Sequence, residues 1–300
     1  MRAFSQLALL CLAALLPFAG PGQQGPPKPQ PTYRDVSYGP YLENRLDFWQ
    51  AETAGPAPLV IFIHGGGFRS GSKRSINART FRRLLAAGIH MASVEYRFVQ
   101  VKPLPAAHED CKRALQFLRS KAADWKIDPR RIGAFGGSAG AQLAMWLAFH
   151  DDMAEPGSPD PIARQSTRLA AVATAGGQTT MDRDWWFEHV PGYDRPHRDP
   201  MELYGTRDPE KMRRIVADIS ALNLVSPDDP PIFMAYRMAP DDPVPNDPKR
   251  ARGWKVHHVV FGLALKKKMD ALGVEADLRY PGARSRYASI ADFFLAKLKP

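Results

Sequence analysis

Cysteine is scarce in this chain, which has 300 residues but only Cys11 and Cys111. Cys11 lies in an apolar stretch, residues 7–18, that follows Arg2 and leads to the small residues Ala19 and Gly20. A single positive charge, a short apolar core and small residues at its end are typical of a secretory signal peptide. Removal of residues 1–20 leaves Cys111 as the single thiol, so the mature chain can form no internal disulfide. We therefore predict an exported protein, periplasmic or extracellular.

The chain also lacks an apolar run of about 20 residues, the length that a membrane-spanning helix requires. We therefore predict no stable membrane span once the signal is removed; an uncleaved N-terminal anchor is the alternative for residues 7–18. Residues 21–31 are rich in Pro, Gly and Gln, which predicts a disordered linker. The net charge of +10 comes from Lys and Arg scattered through amphipathic segments, without a repeated basic–aromatic pattern. We predict a charged, solvated surface and no nucleic-acid partner.

Apolar strand patterns alternate with amphipathic helix patterns, which predicts a parallel sheet with helices on both faces. The predicted strands lie at residues 36–39, 45–49, 59–63, 90–96, 131–135, 170–174, 231–235 and 275–280. Helices are predicted at residues 78–87, 105–125, 141–149, 256–272 and 289–298. Residues 176–226 break the alternation and are predicted to form an insertion over the sheet, with short helices near 181–189 and 208–219.

A turn of small residues around Ser138 lies between the fifth predicted strand and an almost wholly apolar segment. A strand, a sharp turn around one Ser and a helix together form a nucleophile elbow. The backbone of such a Ser is strained, and side chains at the two flanking positions would collide with the strand or the helix. Gly136 and Gly140 occupy those positions, so the pattern predicts that Ser138 is a nucleophile.

Three consecutive glycines follow the strand at residues 59–63, in the sequence His64-Gly65-Gly66-Gly67. The carboxyl edge of a parallel sheet is where ligands bind, and glycines leave backbone N–H groups uncovered there. A phosphate-binding loop would continue with Lys and then Ser or Thr, whereas Phe68 and Arg69 follow here. We therefore interpret the glycines as an oxyanion hole, with His64 holding the geometry of the loop.

The two motifs resemble the α/β-hydrolase fold, and within it the hormone-sensitive-lipase-like carboxylesterases. The resemblance is strongest over residues 59–149 and extends from about Val36 to the C-terminus. It implies one α/β-hydrolase domain at residues 32–300 whose insertion at 176–226 is a lid or a substrate-binding cap. It also implies that Gly65, Gly66, Gly67 and the amide of Ala139 stabilise the oxyanion. Hydrolysis of a small-molecule carboxylic ester through an acyl-enzyme on Ser138 is then expected, without a cofactor or a metal ion.

Aromatic residues in the insertion have two interpretations. Trp185 and Trp186 either line an acyl pocket or form a small core of the insertion itself. The sequence leaves both open.

The acid and the base are less clear than the nucleophile. The family places its acid after the strand that follows the cap, where Asp241 precedes Val-Pro by three residues; Asp242 is the alternative. Both also suit an ordinary turn. The family's His is expected where Ser285 stands, and no His follows His258.

The adjacent pair His257 and His258 can replace the missing base, since it follows the predicted acid loop and precedes a helix. Their proximity to a helix N-terminus would favour the neutral, proton-accepting imidazole. The alternative is a noncatalytic α/β-hydrolase-like envelope binding protein that has lost its catalytic His. The sequence predicts a catalytic set of Ser138, Asp241 and His258, or His257, and leaves this alternative open.

Overall fold

The structure, a computed structural model, describes residues 28–299. The predicted signal peptide and most of the predicted linker lie outside the described residues. The end of the linker is bound to the domain, because the Lys28 ammonium donates to the Arg74 carbonyl at 2.6 Å and the Trp49 indole donates to the Pro29 carbonyl at 2.8 Å. Disorder is therefore a wrong prediction for these last linker residues.

A single sheet of eight strands organises the domain, in the spatial order β1-β2-β4-β3-β5-β6-β7-β8. The first two pairings, β1 with β2 and β2 with β4, are antiparallel, and all others are parallel. The strands are β1 (Tyr33–Ser37), β2 (Arg45–Trp49), β3 (Ala57–Ile63), β4 (His90–Val94), β5 (Ile127–Gly137), β6 (Ala171–Ala175), β7 (Ile232–Ala235) and β8 (Ala276–Arg279). Every strand that the sequence predicted is present, which confirms the mostly parallel sheet.

Helices cover both faces of the sheet, and β3 shows why its sequence is continuously apolar. Its alternate residues Leu59, Ile61 and Ile63 pack in one core, with α2 (Ala106–Ser120), α3 (Ala139–Phe149) and α9 (Val260–Ala271). Val60 and Phe62 pack in a second core, with α1 (Ala78–Ala86) and α10 (Ile290–Leu298). A strand buried on both faces needs apolar side chains at every position.

The insertion contains four short helices: α4 (Arg183–His189), α5 (Pro200–Tyr204), α6 (Pro209–Ile219) and α7 (Ala221–Leu224). Two of them were predicted. The helix predicted at residues 256–272 is present as α9 but begins four residues later, and α8 (Pro248–Val256) was not predicted. Asp247 caps α8 by accepting from the Arg250 amide at 2.7 Å, and Pro248 begins it. Among residues 28–299, no helix combines the length and hydropathy that a membrane crossing requires.

Candidate active site

Ser138 lies at the turn between β5 and α3 with φ of 53° and ψ of −121°, a strained backbone for a residue with a side chain. A Cβ atom at Gly136 would lie 2.4 Å from the Gly140 carbonyl, and one at Gly140 would lie 2.1 Å from the Ile63 carbonyl. Both distances are far below van der Waals contact, so only glycine fits at either position. The predicted elbow is thus present, with the Ser138 side chain at the carboxyl edge of the sheet.

His257 meets this serine. Its Nε2 lies 2.9 Å from the Ser138 hydroxyl, and its Nδ1 lies 2.7 Å from the Gly253 carbonyl. A carbonyl oxygen only accepts, so Nδ1 carries the proton and donates it to Gly253. The unprotonated Nε2 is then free to accept from the Ser138 hydroxyl. This is the hydrogen-bond pattern of a nucleophile with its general base.

The pKa of His257 is lowered from its usual 6.5, mainly because burial penalises the imidazolium. The bond to the Gly253 carbonyl raises it, and the positive charge of Arg237 lowers it. The sequence predicted that His257 lies near a helix N-terminus, which would lower its pKa. In the structure His257 is instead the C-cap of α8. A helix C-terminus favours the charged imidazolium. Burial, not a helix dipole, therefore accounts for the neutral base.

His258 is not the residue that meets Ser138. Its side chain is buried against the Trp254 ring, at 4.4 Å between ring centroids, and its Nδ1 accepts from the Val260 amide at 3.3 Å. Of the two histidines that the sequence left open, the geometry selects His257. His258 lies in the short connection between α8 and α9.

The predicted acid is not paired with this base. Asp241 is exposed and forms neither a hydrogen bond nor an ion pair with the described residues, and Asp242 accepts from the Ala239 amide at 2.8 Å. The carbonyl of Gly253 occupies the position on His257 Nδ1 that an acid would take. The Ser–His–Asp arrangement expected with Asp241 is therefore corrected to a Ser–His pair oriented by the backbone.

Ser285, at the position expected for the family's His, belongs to a different network. Its hydroxyl donates to the Asp277 carboxylate at 2.7 Å, and the same carboxylate accepts from the Tyr287 amide at 3.1 Å. These contacts fix the segment after β8, and Ser285 has no bond to Ser138 or His257.

The glycine loop lies against the elbow. A Cβ atom at Gly65 would lie 2.5 Å from the Gly137 carbonyl, and Gly66 and Gly67 have φ of 114° and 59°. No acceptor among residues 28–299 takes the amides of Gly66, Gly67 or Ala139, and all three residues line one cavity with Ser138. The arrangement offers unpaired donors beside the hydroxyl, as an oxyanion hole requires.

Two side chains brace this loop. His64 is buried, with Nδ1 2.8 Å from the Gly65 carbonyl and Nε2 3.0 Å from Glu95, as its predicted structural role requires. Arg198, from the insertion, donates to the Gly67 carbonyl at 2.6 Å. Sequence reasoning missed Arg198, because nothing local in its polar segment indicates a contact with a loop 131 residues away.

Two cavities open on Ser138 and His257. The oxyanion-side cavity has a volume of about 480 Å³ and is also lined by Gly67, Trp186 and Arg252. The α8-side cavity has a volume of about 740 Å³ and is also lined by Tyr236, Arg237 and Arg250. Ser138 and His257 therefore lie where the two cavities meet.

The tryptophans of the insertion have different roles. Trp186 lines the oxyanion-side cavity and also holds the insertion together, since its indole donates to the Thr180 carbonyl at 2.9 Å. Trp185 stacks on His189 at 4.5 Å and packs on Phe261. Trp186 therefore combines both interpretations of the sequence, whereas Trp185 packs between the insertion and α9 and lines neither cavity.

An eight-stranded, mostly parallel sheet with a serine elbow and an adjacent glycine loop defines an α/β-hydrolase. The chain belongs to the BD-FAE family, whose model matches residues 46–249, more than half of the chain. The match includes Ser138 and the glycine loop and ends before His257. The predicted membership of the carboxylesterase-type α/β-hydrolases is confirmed.

Curated relatives match part of the chain. Esterase LipQ of Mycobacterium tuberculosis is 35% identical over 129 residues, which cover 41% of this chain and 31% of LipQ. A probable isoprenylcysteine alpha-carbonyl methylesterase of Oryza sativa subsp. japonica is 34% identical over 145 residues, 48% of this chain and 34% of the relative. The chain thus spans about a third of the length of these relatives.

Solved structures resemble the whole domain. A truncated carbohydrate esterase from gut microbiota has a TM-score of 0.71 at 24% identity, covering 92% of this chain and all of the other. Thermogutta terrifontis esterase 2, phosphonylated by sarin, has a TM-score of 0.63 at 20% identity, covering 92% and 99%. At these identities the likeness shows the fold.

Proposed function

We propose that the protein is a serine esterase that cleaves a small-molecule carboxylic ester. The observation that carries the proposal is the 2.9 Å contact between Ser138 Oγ and His257 Nε2, with Nδ1 of the same ring donating to a carbonyl. The names of the relatives, which are esterases and a methylesterase, support the same reaction class.

In the proposed acylation, Ser138 Oγ attacks the ester carbonyl carbon while its proton passes to His257 Nε2. The carbonyl oxygen becomes negative and is stabilised by the amides of Gly66, Gly67 and Ala139. The carbon–oxygen bond to the alcohol then breaks, and His257 gives its proton to the departing alkoxide. Water repeats the sequence on the acyl-enzyme, which releases the carboxylic acid and restores the Ser138 hydroxyl.

The acid of a triad holds the tautomer of the His and stabilises the imidazolium. The Gly253 carbonyl replaces it in the first of these two roles. It keeps the proton on Nδ1 and so preserves the tautomer that the reaction needs. Because it is uncharged, it stabilises the imidazolium less than a carboxylate does. We therefore expect an enzyme that turns over more slowly than one with a full triad.

Labelling with a fluorophosphonate tests the nucleophile directly, and the sarin adduct of a structural neighbour shows that such reagents suit this fold. We expect wild-type protein to be labelled, Ser138→Ala to be unlabelled, and His257→Gln to react at least about 100-fold more slowly. His258→Gln is the matched control, because it removes the adjacent imidazole and should keep most of the labelling rate. Circular dichroism verifies that each variant is folded.

Failure of folded wild-type protein to be labelled would overturn the proposal and favour a noncatalytic binding protein. A larger loss in His258→Gln than in His257→Gln would overturn the assignment of the base.

We also propose that the protein is exported, on the basis of the predicted signal at residues 1–20. Expression of the full chain in a bacterium, followed by fractionation and N-terminal sequencing, tests this. Export predicts protein outside the cytoplasm that begins near residue 21; recovery of the intact Met1 terminus in the cytoplasm contradicts it.

A further inference from the structure

Helix α8 brings positive charge to the active site together with the base. Its sequence, PKRARGWKV, has four cationic residues and no acidic one, and it ends directly before His257. Arg250 lines the α8-side cavity and Arg252 lines the oxyanion-side cavity, so that the two arginines lie on opposite sides of the same base. Arg237, after β7, adds a second cation to the α8-side cavity.

Carboxylates do not balance these charges. Neither cavity has an Asp or a Glu among the described residues that line it. The ion pairs formed around them by residues 28–299 include those of Arg69 and Arg198 with Glu202 and that of Lys255 with Asp194. Within residues 28–299, Arg237, Arg250 and Arg252 take part in no ion pair, unlike Arg198, Arg207 and Arg214 of the insertion.

Each of these guanidinium groups can still bind a ligand. Arg252 donates to the His197 carbonyl at 3.2 Å, which holds the side chain at the cavity wall but occupies one of its five N–H groups. Arg237 and Arg250 are exposed and have no side-chain partner among residues 28–299. A planar guanidinium without an acidic partner matches a carboxylate, which it binds through two parallel hydrogen bonds.

His197 lines the oxyanion-side cavity together with His257, and both imidazoles are affected by the nearby positive charges. Burial, with Arg198 and Arg252 as further causes, lowers the pKa of His197 to about 4. After burial, Arg237 contributes to the lowered pKa of His257. Both imidazoles are therefore neutral near pH 7, and the arginines alone supply the cationic charge of the cavities.

We propose that the substrate is an ester that carries a second, ionised carboxylate, which is bound by Arg252 in the oxyanion-side cavity or by Arg250 and Arg237 in the α8-side cavity. This inference rests on the proposed esterase function and names its substrate class. The carboxylate can lie on the acyl half or on the alcohol half of the ester, and the two arms of the test separate these cases.

The test compares esters of equal length with and without the charge. Monomethyl adipate against methyl hexanoate tests the acyl half, and 4-acetoxybutanoate against butyl acetate tests the alcohol half. Hydrolysis is followed by NMR at about 0.15 M salt, where the Debye length of about 8 Å suppresses long-range attraction. We expect kcat/KM to be about tenfold higher for the charged ester in at least one arm.

Arg252→Gln and Arg250→Gln identify the cavity. The variant whose arginine binds the carboxylate should lose the preference, so that the charged-to-neutral ratio of kcat/KM falls about tenfold. Lys249→Gln is the matched control, because Lys249 is exposed on the same helix, carries the same charge and lines neither cavity. Arg252→Lys and Arg250→Lys keep the charge but lose the planar fork, and should restore the ratio only in part.

A preference for the neutral ester in both arms would overturn the inference while the esterase function stands. The same is true if Lys249→Gln lowers the ratio as much as the arginine variants do, since net charge alone would then explain the preference. If folded protein hydrolyses none of the four esters and is not labelled by the fluorophosphonate, the proposed function fails and this inference fails with it.

Discussion

His257 follows Gly253 by four residues, and its Nδ1 donates to the Gly253 carbonyl at 2.7 Å. The group that orients the base therefore belongs to the last turn of the helix that the base caps. A residue that follows at i+4 lies above residue i on the same face of a helix. The orientation of the imidazole is consequently fixed by local backbone geometry, and no distant acid is needed for it.

Loss of the predicted acids should therefore have little effect. In a Ser–His–Asp triad, Asp→Asn costs about 10⁴-fold in kcat because the wrong tautomer is favoured. Here we expect Asp241→Asn and Asp242→Asn to stay within about threefold of wild type, because Gly253 keeps the tautomer. Steady-state hydrolysis of a neutral ester measures this. A loss of 100-fold or more in Asp241→Asn would show that the loop closes on His257 during the reaction.

The acid limb of the pH profile reports the state of His257. The neutral imidazole is the base, and burial together with Arg237 lowers its pKa below 6.5. Activity should therefore persist as the pH falls through 6.5, and it should be lost only when the pH falls through the lowered pKa of His257. Arg237→Gln removes a positive charge, which raises the pKa and moves the acid limb of kcat/KM to higher pH.

The control is Lys249→Gln, which removes an equal charge and should leave the limb unmoved. Because Arg237 is exposed, the displacement should shrink in 1 M salt. A limb that moves to lower pH in Arg237→Gln contradicts the assignment of His257.

The central strands β3, β4, β6 and β7 were predictable because each is a short, largely apolar run between turn residues. The run at residues 59–63, for example, is buried on both faces, as its continuous apolar sequence requires. Two glycines were informative for a steric reason, since Gly136 and Gly140 fill places where a Cβ atom does not fit. Burial of a strand and exclusion of a Cβ atom both restrict the residue type at a position, so a single sequence shows them directly.

The base was only half predictable. Its location near residue 257 followed from the sequence, but the choice between two adjacent histidines depends on where α8 ends. Helix α8 is polar on most of its surface and lacks a clear apolar period, so it was missed, although Asp247 and Pro248 form a recognisable helix start. The orienting group is a backbone carbonyl, which every residue has, and no residue type could have indicated it.

Arg198 is expected to position the glycine loop for every substrate. One terminal nitrogen of its guanidinium group donates to the Gly67 carbonyl at 2.6 Å, and the other lies 3.4 Å from the Glu202 carboxylate. Arg198→Met keeps the length of the side chain but loses the donor, so the loop amides should be less well aligned with the oxyanion. We expect kcat to fall about tenfold with KM nearly unchanged, for neutral and charged esters alike.

Arg214→Met is the control, since Arg214 pairs with Glu210 on the exposed face of α6 in the same insertion. A fall in kcat of equal size in Arg214→Met would indicate general damage to the insertion. A rise in KM alone for Arg198→Met would instead assign Arg198 to substrate binding.

Two glycines near the active site should respond oppositely to substitution by alanine. At Gly140 the added methyl group would lie 2.1 Å from the Ile63 carbonyl, in the main chain of a central strand that cannot retreat. Overpacking of this kind costs about 1–3 kcal/mol or more, and we expect Gly140→Ala to lower Tm by at least about 3–6 °C. It should also reduce labelling of Ser138, because the elbow must shift.

At Gly253 the added methyl group meets nothing within 4 Å. The residue lies inside α8, where alanine is favoured over glycine by about 0.8–1.0 kcal/mol, so Gly253→Ala should raise Tm by about 2 °C. The substitution keeps the carbonyl that accepts from His257, and hydrolysis should therefore continue at a rate close to that of wild type. Thermal unfolding and the fluorophosphonate assay measure both effects. If Gly253→Ala is more stable but no longer reacts, then α8 must bend at this glycine for His257 to reach Ser138.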